Sequence, residues 1–268
     1  VAEANRGRIY LSPDEEQISA ARIQKPEKYP DGEISENPRW FSPPAFGMRD
    51  FSQLFSNRQL NSMSVFSSLI GEAREQIEKD AISQGMVNDH ITITQDGNGA
   101  KAYAEAVSVY LAFLVDRLAD RLSTLCNWDK GYTKINHTYG RQALPMVWDY
   151  VEGNPFGSKT GSFSSMIRLI TDCLNIMVVG EKGKAVQFEA QNDCGLRNLM
   201  ISTDPPYYDN IGYAELSDYF YVWMRDSLKE VYPKIFRTML VPKNEELIAA
   251  PYRHTVSYTH LRAHETGR

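Results

Sequence analysis

The period of the hydrophobic pattern changes along the chain, and this change constrains the fold more than any other feature. Between residues 60 and 177, apolar residues recur at three- and four-residue steps, which predicts amphipathic helices. Residues 185–189 alternate with a period of two and residues 199–202 form a short apolar run, and both patterns are typical of strands. Helical spacing returns from residue 213 to about 232. This helix–strand–strand–helix order predicts an α/β fold with a parallel sheet.

Three helices are expected before the change of period. One starts near Ser56, a second covers about residues 101–125, and a third covers about 162–177, with Cys173 on its apolar stripe as a core thiol. Prolines at positions 26, 30, 38, 43 and 44 break any long helix in residues 1–50. The organisation predicted is an extended lead-in arm (1–50), a helical region (51–160) and an α/β region (161–255).

Composition and charge exclude several classes of protein. The chain carries 29 Lys+Arg against 34 Asp+Glu, a net charge of -5, so any nucleic acid must be held by a local patch or by parts that are not present in this sequence. The three cysteines form no C-x-x-C pair, which argues against a zinc site or a disulfide framework. No apolar run reaches the length of a membrane span and no signal peptide is recognisable, so a cytoplasmic location is expected. Residues 153–161 contain Lys159-Thr160 without phosphate-loop spacing and are interpreted as a surface loop.

The tetrapeptide Asp204-Pro205-Pro206-Tyr207 directly follows the second predicted strand. Ligands of open α/β sheets bind outside the carboxyl ends of the strands. The prolines stiffen the backbone, and the Pro205 carbonyl stays free to accept a hydrogen bond. A carboxylate, a rigid carbonyl and an aromatic ring in one turn suit a planar ring that bears an amino group. The alternative interpretation is a strand-ending turn with a buried tyrosine.

A longer stretch carries a family resemblance. Residues 203–223, T-D-P-P-Y-Y-D-N-I-G-Y-A-E-L-S-D-Y-F-Y-V-W, resemble prokaryotic adenine-specific DNA methylases of the group described as containing a zinc ribbon. Three further parts of the chain are similar to this group: residues 46–48 with 54–60, residues 139–149, and residues 242–247 with 251–254. The resemblance thus spans most of residues 40–254.

The resemblance implies a fold, a reaction and a set of residues. The fold would be a partial Rossmann-like class I methyltransferase sheet in residues 161–255, with a largely helical N-terminal half in which residues 51–160 form an insertion or a target-recognition part. The reaction would be methyl transfer from S-adenosylmethionine to the N6 amine of a flipped adenine in DNA, with no metal. The implied residues are Asp204, Pro205, Pro206 and Tyr207 as catalytic, Tyr208, Asn210 and Tyr213 as substrate-binding pocket walls, and Asp193 as cofactor-binding.

The sequence also departs from this family. The glycine-rich cofactor loop D-P-F-x-G-x-G and the zinc-ribbon cysteines are absent, and residues 256–266 resemble a translated sequencing adapter within an artefactual tail, 256–268. These departures predict an interior fragment that lacks much of the cofactor half and is inactive in isolation. Two alternatives stay open: a methyltransferase for the N2 amine of guanine in RNA, and a non-catalytic DNA-binding module.

Overall fold

The computed structural model is mixed and mostly helical. It describes residues 2–3, 8–178, 180, 183, 185–186, 188–189, 192–205, 211–244, 246 and 248. The helices are α1 (Glu15–Ala21), α2 (Asn57–Ser83), α3 (Ala100–Ala119), α4 (Phe163–Ile176) and α5 (Tyr213–Leu228), with short 3-10 turns at Pro43–Phe46, Phe51–Leu54 and Ile93–Gln95. The strands are β1 (Ala2–Glu3), β2 (Arg8–Ile9), β3 (Trp128–Asp129) and β4 (Lys134–Ile135), which pair as β1–β2 and β3–β4 in two antiparallel ladders.

Helix α2 begins where the sequence predicts. The Ser56 side chain accepts a hydrogen bond from the Gln59 N–H, and the Gln59 side chain accepts one from the Ser56 N–H, which is a capping box. The predicted stripe is buried at Leu60 and Met63, and the helix ends before Gly85, whose φ of 91° is the left-handed conformation that glycine adopts without strain. The cap and the apolar stripe together therefore account for the position of α2.

Helix α3 lies at the centre and packs against α2, α4 and α5. It ends at Ala119, six residues before the predicted end. The reason is that the Thr124 N–H donates to the Leu54 carbonyl, while the Asp120 carbonyl accepts from the Thr138 N–H. These long-range bonds replace the helical bond that the Thr124 N–H would otherwise donate to the Asp120 carbonyl. The main buried side chains of the resulting core are Trp40, Phe41, Phe51, Leu54, Leu114, Leu118, Leu122, Leu144, Tyr219 and Trp223.

The predicted parallel sheet is not observed among the described residues. The described residues of 185–189 and all of 199–202 lie outside any strand, and Met200 and Ile201 are 97% and 77% exposed. A strand buried on both faces needs partner strands and covering helices, and no described segment pairs with 199–202. The prediction of a buried strand there is wrong for this structure.

Helix α4 is also less buried than its apolar stripe predicts. Its first residue, Phe163, stacks on Phe66 of α2 with ring centroids 4.7 Å apart, and Met166 is its only buried residue. Cys173 is exposed, so its assignment as a core thiol is wrong. Within the residues that the structure describes, no helix has both the length and the apolar character needed to cross a membrane.

Candidate functional site

A cleft of about 440 Å³ opens beside the N-terminal half of α5. We call it the α5 cleft. One wall is the loop 139–142 and the other is the helix that follows the D-P-P-Y segment. The lining residues are Tyr139, Gly140, Arg141, Gln142, Ile211, Tyr213, Leu216, Ser217 and Phe220. Its aromatic rings offer flat apolar contacts, while Arg141 and Gln142 are exposed polar groups on its rim.

The start of α5 is fixed by a close approach and by a carboxylate. A β-carbon at Gly212 would lie only 2.6 Å from Cζ3 of the buried Trp40 ring, so only glycine fits there without a shift. The Ala214 N–H, unpaired within the first turn, donates to Oε1 of Glu246 at 2.9 Å. An acidic group at this end also complements the helix dipole. The helix therefore has a defined start at Tyr213, six residues after the last residue of D-P-P-Y.

Tyr139 connects the loop wall to the helix wall. Its hydroxyl donates to the Leu216 carbonyl at 2.8 Å, and its ring lies 5.3 Å from that of Phe220. Its backbone N–H donates to Oδ1 of Asp120. Burial, followed by the negative charges of Asp120 and Asp218, raises the pKa of the Tyr139 hydroxyl well above its ordinary value. Tyr139 therefore stays a neutral hydrogen-bond donor and packing group at any physiological pH.

The loop that carries Tyr139 is anchored at its base. His137 Nδ1 bonds to Oδ2 of Asp120, and Nε2 of the same ring lies 2.7 Å from an Arg121 guanidinium nitrogen. Since a guanidinium can only donate, Nε2 accepts and the ring proton is on Nδ1. Further along, the Leu144 N–H donates to the Trp40 carbonyl at 2.7 Å. The loop is thus held to the core on both sides of the cleft wall.

The segments that carry the family resemblance converge on α5. Phe55 stacks on Tyr219 with centroids 5.9 Å apart and meets the Trp223 ring edge-on at 5.4 Å. On another side of the helix, Lys243 Nζ lies 2.7 Å from Oδ2 of the buried Asp218. Segments 54–60, 139–149 and 242–247 are far apart in sequence but all contact the helix that follows D-P-P-Y.

The predicted catalytic and substrate-binding residues are placed only in part. Asp204 and Pro205 are exposed in a segment without helix or strand. Pro206, Tyr207, Tyr208 and Asn210 lie outside the described residues. Pro205 precedes Ile211 by six residues, so their Cα atoms are at most about 22 Å apart. Tyr213, the first residue of α5, is 41% exposed and lines the α5 cleft, and its role toward a substrate stays a prediction.

Asp193, the candidate cofactor residue, lies in an exposed turn. Its carboxylate accepts two hydrogen bonds from Arg197, both at 3.0 Å, and one from the Gly195 N–H at 2.8 Å. The bond from Arg197, followed by that from Gly195, lowers the pKa of Asp193. The carboxylate is ionised and engaged within its own turn, and its role toward a cofactor stays a prediction.

Of the nine residues that line the cleft, sequence reasoning assigned a site role only to Tyr213 and missed the other eight, among them Tyr139, Arg141 and Phe220. The stretch 139–149 was recognisable by its resemblance, but no local pattern assigns a role to single side chains in it. Its proximity to α5 depends on the long-range bonds of Asp120 and Trp40, which the sequence does not reveal.

Comparisons with protein-family models, with curated proteins and with solved structures found no match to this chain. Among the described residues, no group of three or more His, Cys, Asp or Glu side chains could hold a metal ion. The function must therefore be argued from the site itself.

Proposed function

We propose that this chain carries the base-binding part of a cytoplasmic enzyme that methylates the N6 amine of adenine in DNA, with S-adenosylmethionine as the methyl donor. One observation supports this most: α5 begins six residues after D-P-P-Y in the sequence, and three other segments that resemble such enzymes contact that helix beside an aromatic cleft.

The proposed chemistry acts on the amine of the base. The lone pair of an exocyclic amine is delocalised into the ring, which makes it a poor nucleophile. Hydrogen bonds from the NH₂ to the Asp204 carboxylate and to the Pro205 carbonyl would favour a pyramidal nitrogen. They would also stabilise the positive charge that develops on nitrogen as it takes up the methyl group. The proton released afterwards would leave by way of Asp204.

The flipped base needs flat apolar partners. Extrusion from a duplex costs a few kcal/mol, and stacking on an aromatic ring returns about 1–3 kcal/mol per base. Tyr207 is the proposed stacking partner, and Tyr213 with Tyr139 would form the wall beyond it. Tyr139 suits this role because its hydroxyl is already bonded to Leu216 and needs no other partner.

The described residues do not fit a complete cofactor site. Asp193 is engaged by Arg197 and by its own turn, and the glycine-rich loop is absent from the sequence. We therefore derive no step through the cofactor, and the proposal for this chain concerns recognition of the base.

The test measures recognition of the amine separately from turnover. Fluorescently labelled DNA oligonucleotides carrying adenine are compared with matched oligonucleotides in which adenines are replaced by purine, which lacks the 6-amino group. Loss of a hydrogen bond to a charged acceptor costs about 1.5–3 kcal/mol, so the adenine form should bind about 10- to 150-fold more tightly. Asp204→Ala should abolish this preference, while Asp172→Ala, an exposed carboxylate on α4, should retain it.

Two results would refute the proposal. Equal binding of adenine and purine oligonucleotides would show that the amine is not recognised, and a preference that survives in Asp204→Ala would remove Asp204 from the site. A parallel pair of RNA oligonucleotides, with guanine or with inosine that lacks the 2-amino group, tests the guanine alternative. Discrimination only within the RNA pair would favour an RNA guanine methyltransferase.

A further inference from the structure

A second cleft, of about 640 Å³, lies between the β3–β4 hairpin, the segment around β2 and the loop 151–160. We call it the hairpin cleft. Its volume falls in the range of ligand sites, roughly 300–1,000 Å³. Its lining includes Arg8, Tyr10, Trp128, Lys134, Glu152 and Lys159. None of them belongs to the α5 cleft.

The hairpin places a lysine at the cleft. Trp128 pairs with Ile135 and Asp129 pairs with Lys134. The turn between the strands is set by Asp129, whose side-chain oxygen accepts from the N–H groups of Gly131 and Tyr132 at 2.9 and 3.0 Å. The position of Lys134 is therefore fixed by an Asp-centred turn and a short ladder.

Trp128 holds two other cleft residues in place. The Arg8 guanidinium lies over its ring, 5.4 Å from the centroid, in a cation–π contact. Its indole N–H donates to the Tyr10 hydroxyl at 3.1 Å, and the two rings meet edge-on. The Tyr10 ring is nevertheless 64% exposed. The cleft thus presents a positioned cation and an oriented ring that is open to contact.

The loop 151–160, opposite the hairpin, is anchored near its first residue to the first turn of α2. Arg58 donates to both carboxylate oxygens of Glu152, at 2.6 and 2.9 Å. Beyond this point, the Phe163 N–H donates to the Pro155 carbonyl, which closes the loop onto the start of α4. Lys159, with Ser158 and Thr160 beside it, lies within the closed segment.

The charge of the cleft is opposite to that of the whole chain. Three basic side chains, Arg8, Lys134 and Lys159, line it together with one acid, Glu152. Because the Glu152 carboxylate is neutralised by Arg58, Arg8 and Lys134 alone make the local charge positive, whereas the chain has a net charge of -5. This is the kind of local patch that an acidic protein needs to bind a polyanion.

We propose that the hairpin cleft binds a single strand of nucleic acid, with backbone phosphates on Lys134, Lys159 and Arg8 and with a base stacked on Tyr10. Basic side chains beside an exposed aromatic ring are the combination that single-strand binding uses. Bases within a duplex are stacked on their neighbours, so only an unpaired base can lie against Tyr10. This inference is independent of the proposed methyl transfer.

The test uses fluorescence anisotropy of the full chain with a labelled oligothymidylate. The double variant Lys134→Ala with Lys159→Ala should weaken binding at least tenfold. It should also reduce the slope of the logarithm of the binding constant against the logarithm of salt concentration by about 1.4, because each phosphate that a lysine no longer neutralises accounts for about 0.7. A charge-matched control, Lys101→Ala with Lys130→Ala, changes two lysines that do not line the cleft and should bind as the unmodified chain does. Circular dichroism verifies that both variants are folded.

A second variant tests stacking. Tyr10→Leu should weaken binding about 5- to 150-fold, the equivalent of about 1–3 kcal/mol per stacked base. The control Tyr103→Leu, another exposed tyrosine, should have no effect. Unchanged binding in the double lysine variant or in Tyr10→Leu would overturn the proposal.

Two competing ligands, a duplex and a free mononucleotide, test whether the cleft prefers a single strand of nucleic acid. A duplex of equal length that binds as tightly as the single strand would overturn the single-strand assignment. Free thymidine monophosphate that binds as tightly as the oligonucleotide would show that the cleft takes a mononucleotide and would overturn it as well. Binding at least tenfold weaker for both competitors is the expected result.

Discussion

The contact between Gly212 and Trp40 gives a sharp test of how the α5 cleft is built. Gly212 has a φ of -83°, so an alanine could adopt its backbone conformation without strain. The obstacle is space: a β-carbon would lie 2.6 and 2.7 Å from two atoms of the Trp40 ring, where ordinary contact begins at 3.4 Å. Trp40 is 5% exposed and cannot swing into solvent.

The expected cost follows from two opposing terms. Overpacking of a buried site costs about 1–3 kcal/mol, and the reduced entropy of the unfolded chain returns about 0.4–1 kcal/mol on replacing glycine by alanine. We therefore expect Gly212→Ala to lower the free energy of unfolding by about 1–2 kcal/mol. A matched control is Gly140→Ala in the opposite wall, where a β-carbon meets nothing within 4 Å. That variant should be neutral or more stable by up to about 1 kcal/mol.

Urea unfolding, followed by circular dichroism and tryptophan fluorescence, measures both variants. The same change is then made in a Trp40→Phe background, which removes the ring atoms that Gly212→Ala would meet. The cost of Gly212→Ala should shrink there if the contact is its cause, since the two sites are directly coupled. Equal stabilities of Gly212→Ala and Gly140→Ala in the original background would refute the proposed packing at the start of α5.

Two further predictions concern buried carboxylates. Burial raises the pKa of Asp116 well above the ordinary 3.8, and its Oδ1 has no hydrogen-bond partner among the described residues. The contribution of Asp116 to stability is therefore present below that ordinary pKa and lost as pH rises through the raised pKa of the folded state. Asp116→Asn should stabilise the chain by about 1–3 kcal/mol at neutral pH, as measured by urea unfolding. At about pH 3 the same change should have no effect. Burial also raises the pKa of Asp218, against the opposing effect of Lys243. Lys243→Met should raise the pKa of Asp218 further and lower the free energy of unfolding at neutral pH by about 1–3 kcal/mol. This cost is smaller than for a fully buried pair because Lys243 is partly exposed. An unchanged urea midpoint in either variant would contradict the corresponding prediction.

The helices were predictable because their signals are local. The Ser56–Gln59 capping box fixes the start of α2, and apolar stripes account for α2, α3 and α5. The end of α3 was missed because the carbonyl of Asp120 and the N–H of Thr124 bond to residues that are distant in sequence. A helix satisfies its backbone hydrogen bonds internally, so only its ends depend on the rest of the fold.

Strands differ in this respect, and the difference explains the error at residues 199–202. An apolar run forms a buried strand only if another strand pairs with it and other segments cover both of its faces. Here Leu199, Met200 and Ile201 are exposed, and the described chain provides neither. Sequence reasoning could identify the D-P-P-Y segment, but not the position of its carboxylate relative to a sheet.

The two halves of the candidate site therefore rest on different support. Tyr139 is held by its bonds to Leu216 and Asp120, and the first turn of α5, which begins at Tyr213, is held by the bond from the Ala214 N–H to Glu246. The catalytic role proposed for the D-P-P-Y segment is supported by the chemistry of its residues and by its short chain connection to the wall formed by Tyr139 and Tyr213. Because the wall is anchored independently of the turn, Asp204→Ala should abolish recognition of the amine and leave the stability of α5 unchanged. Loss of both together in that variant would mean that the turn and the wall form one structural unit, and Asp204 would then have a structural role in place of the proposed chemical one.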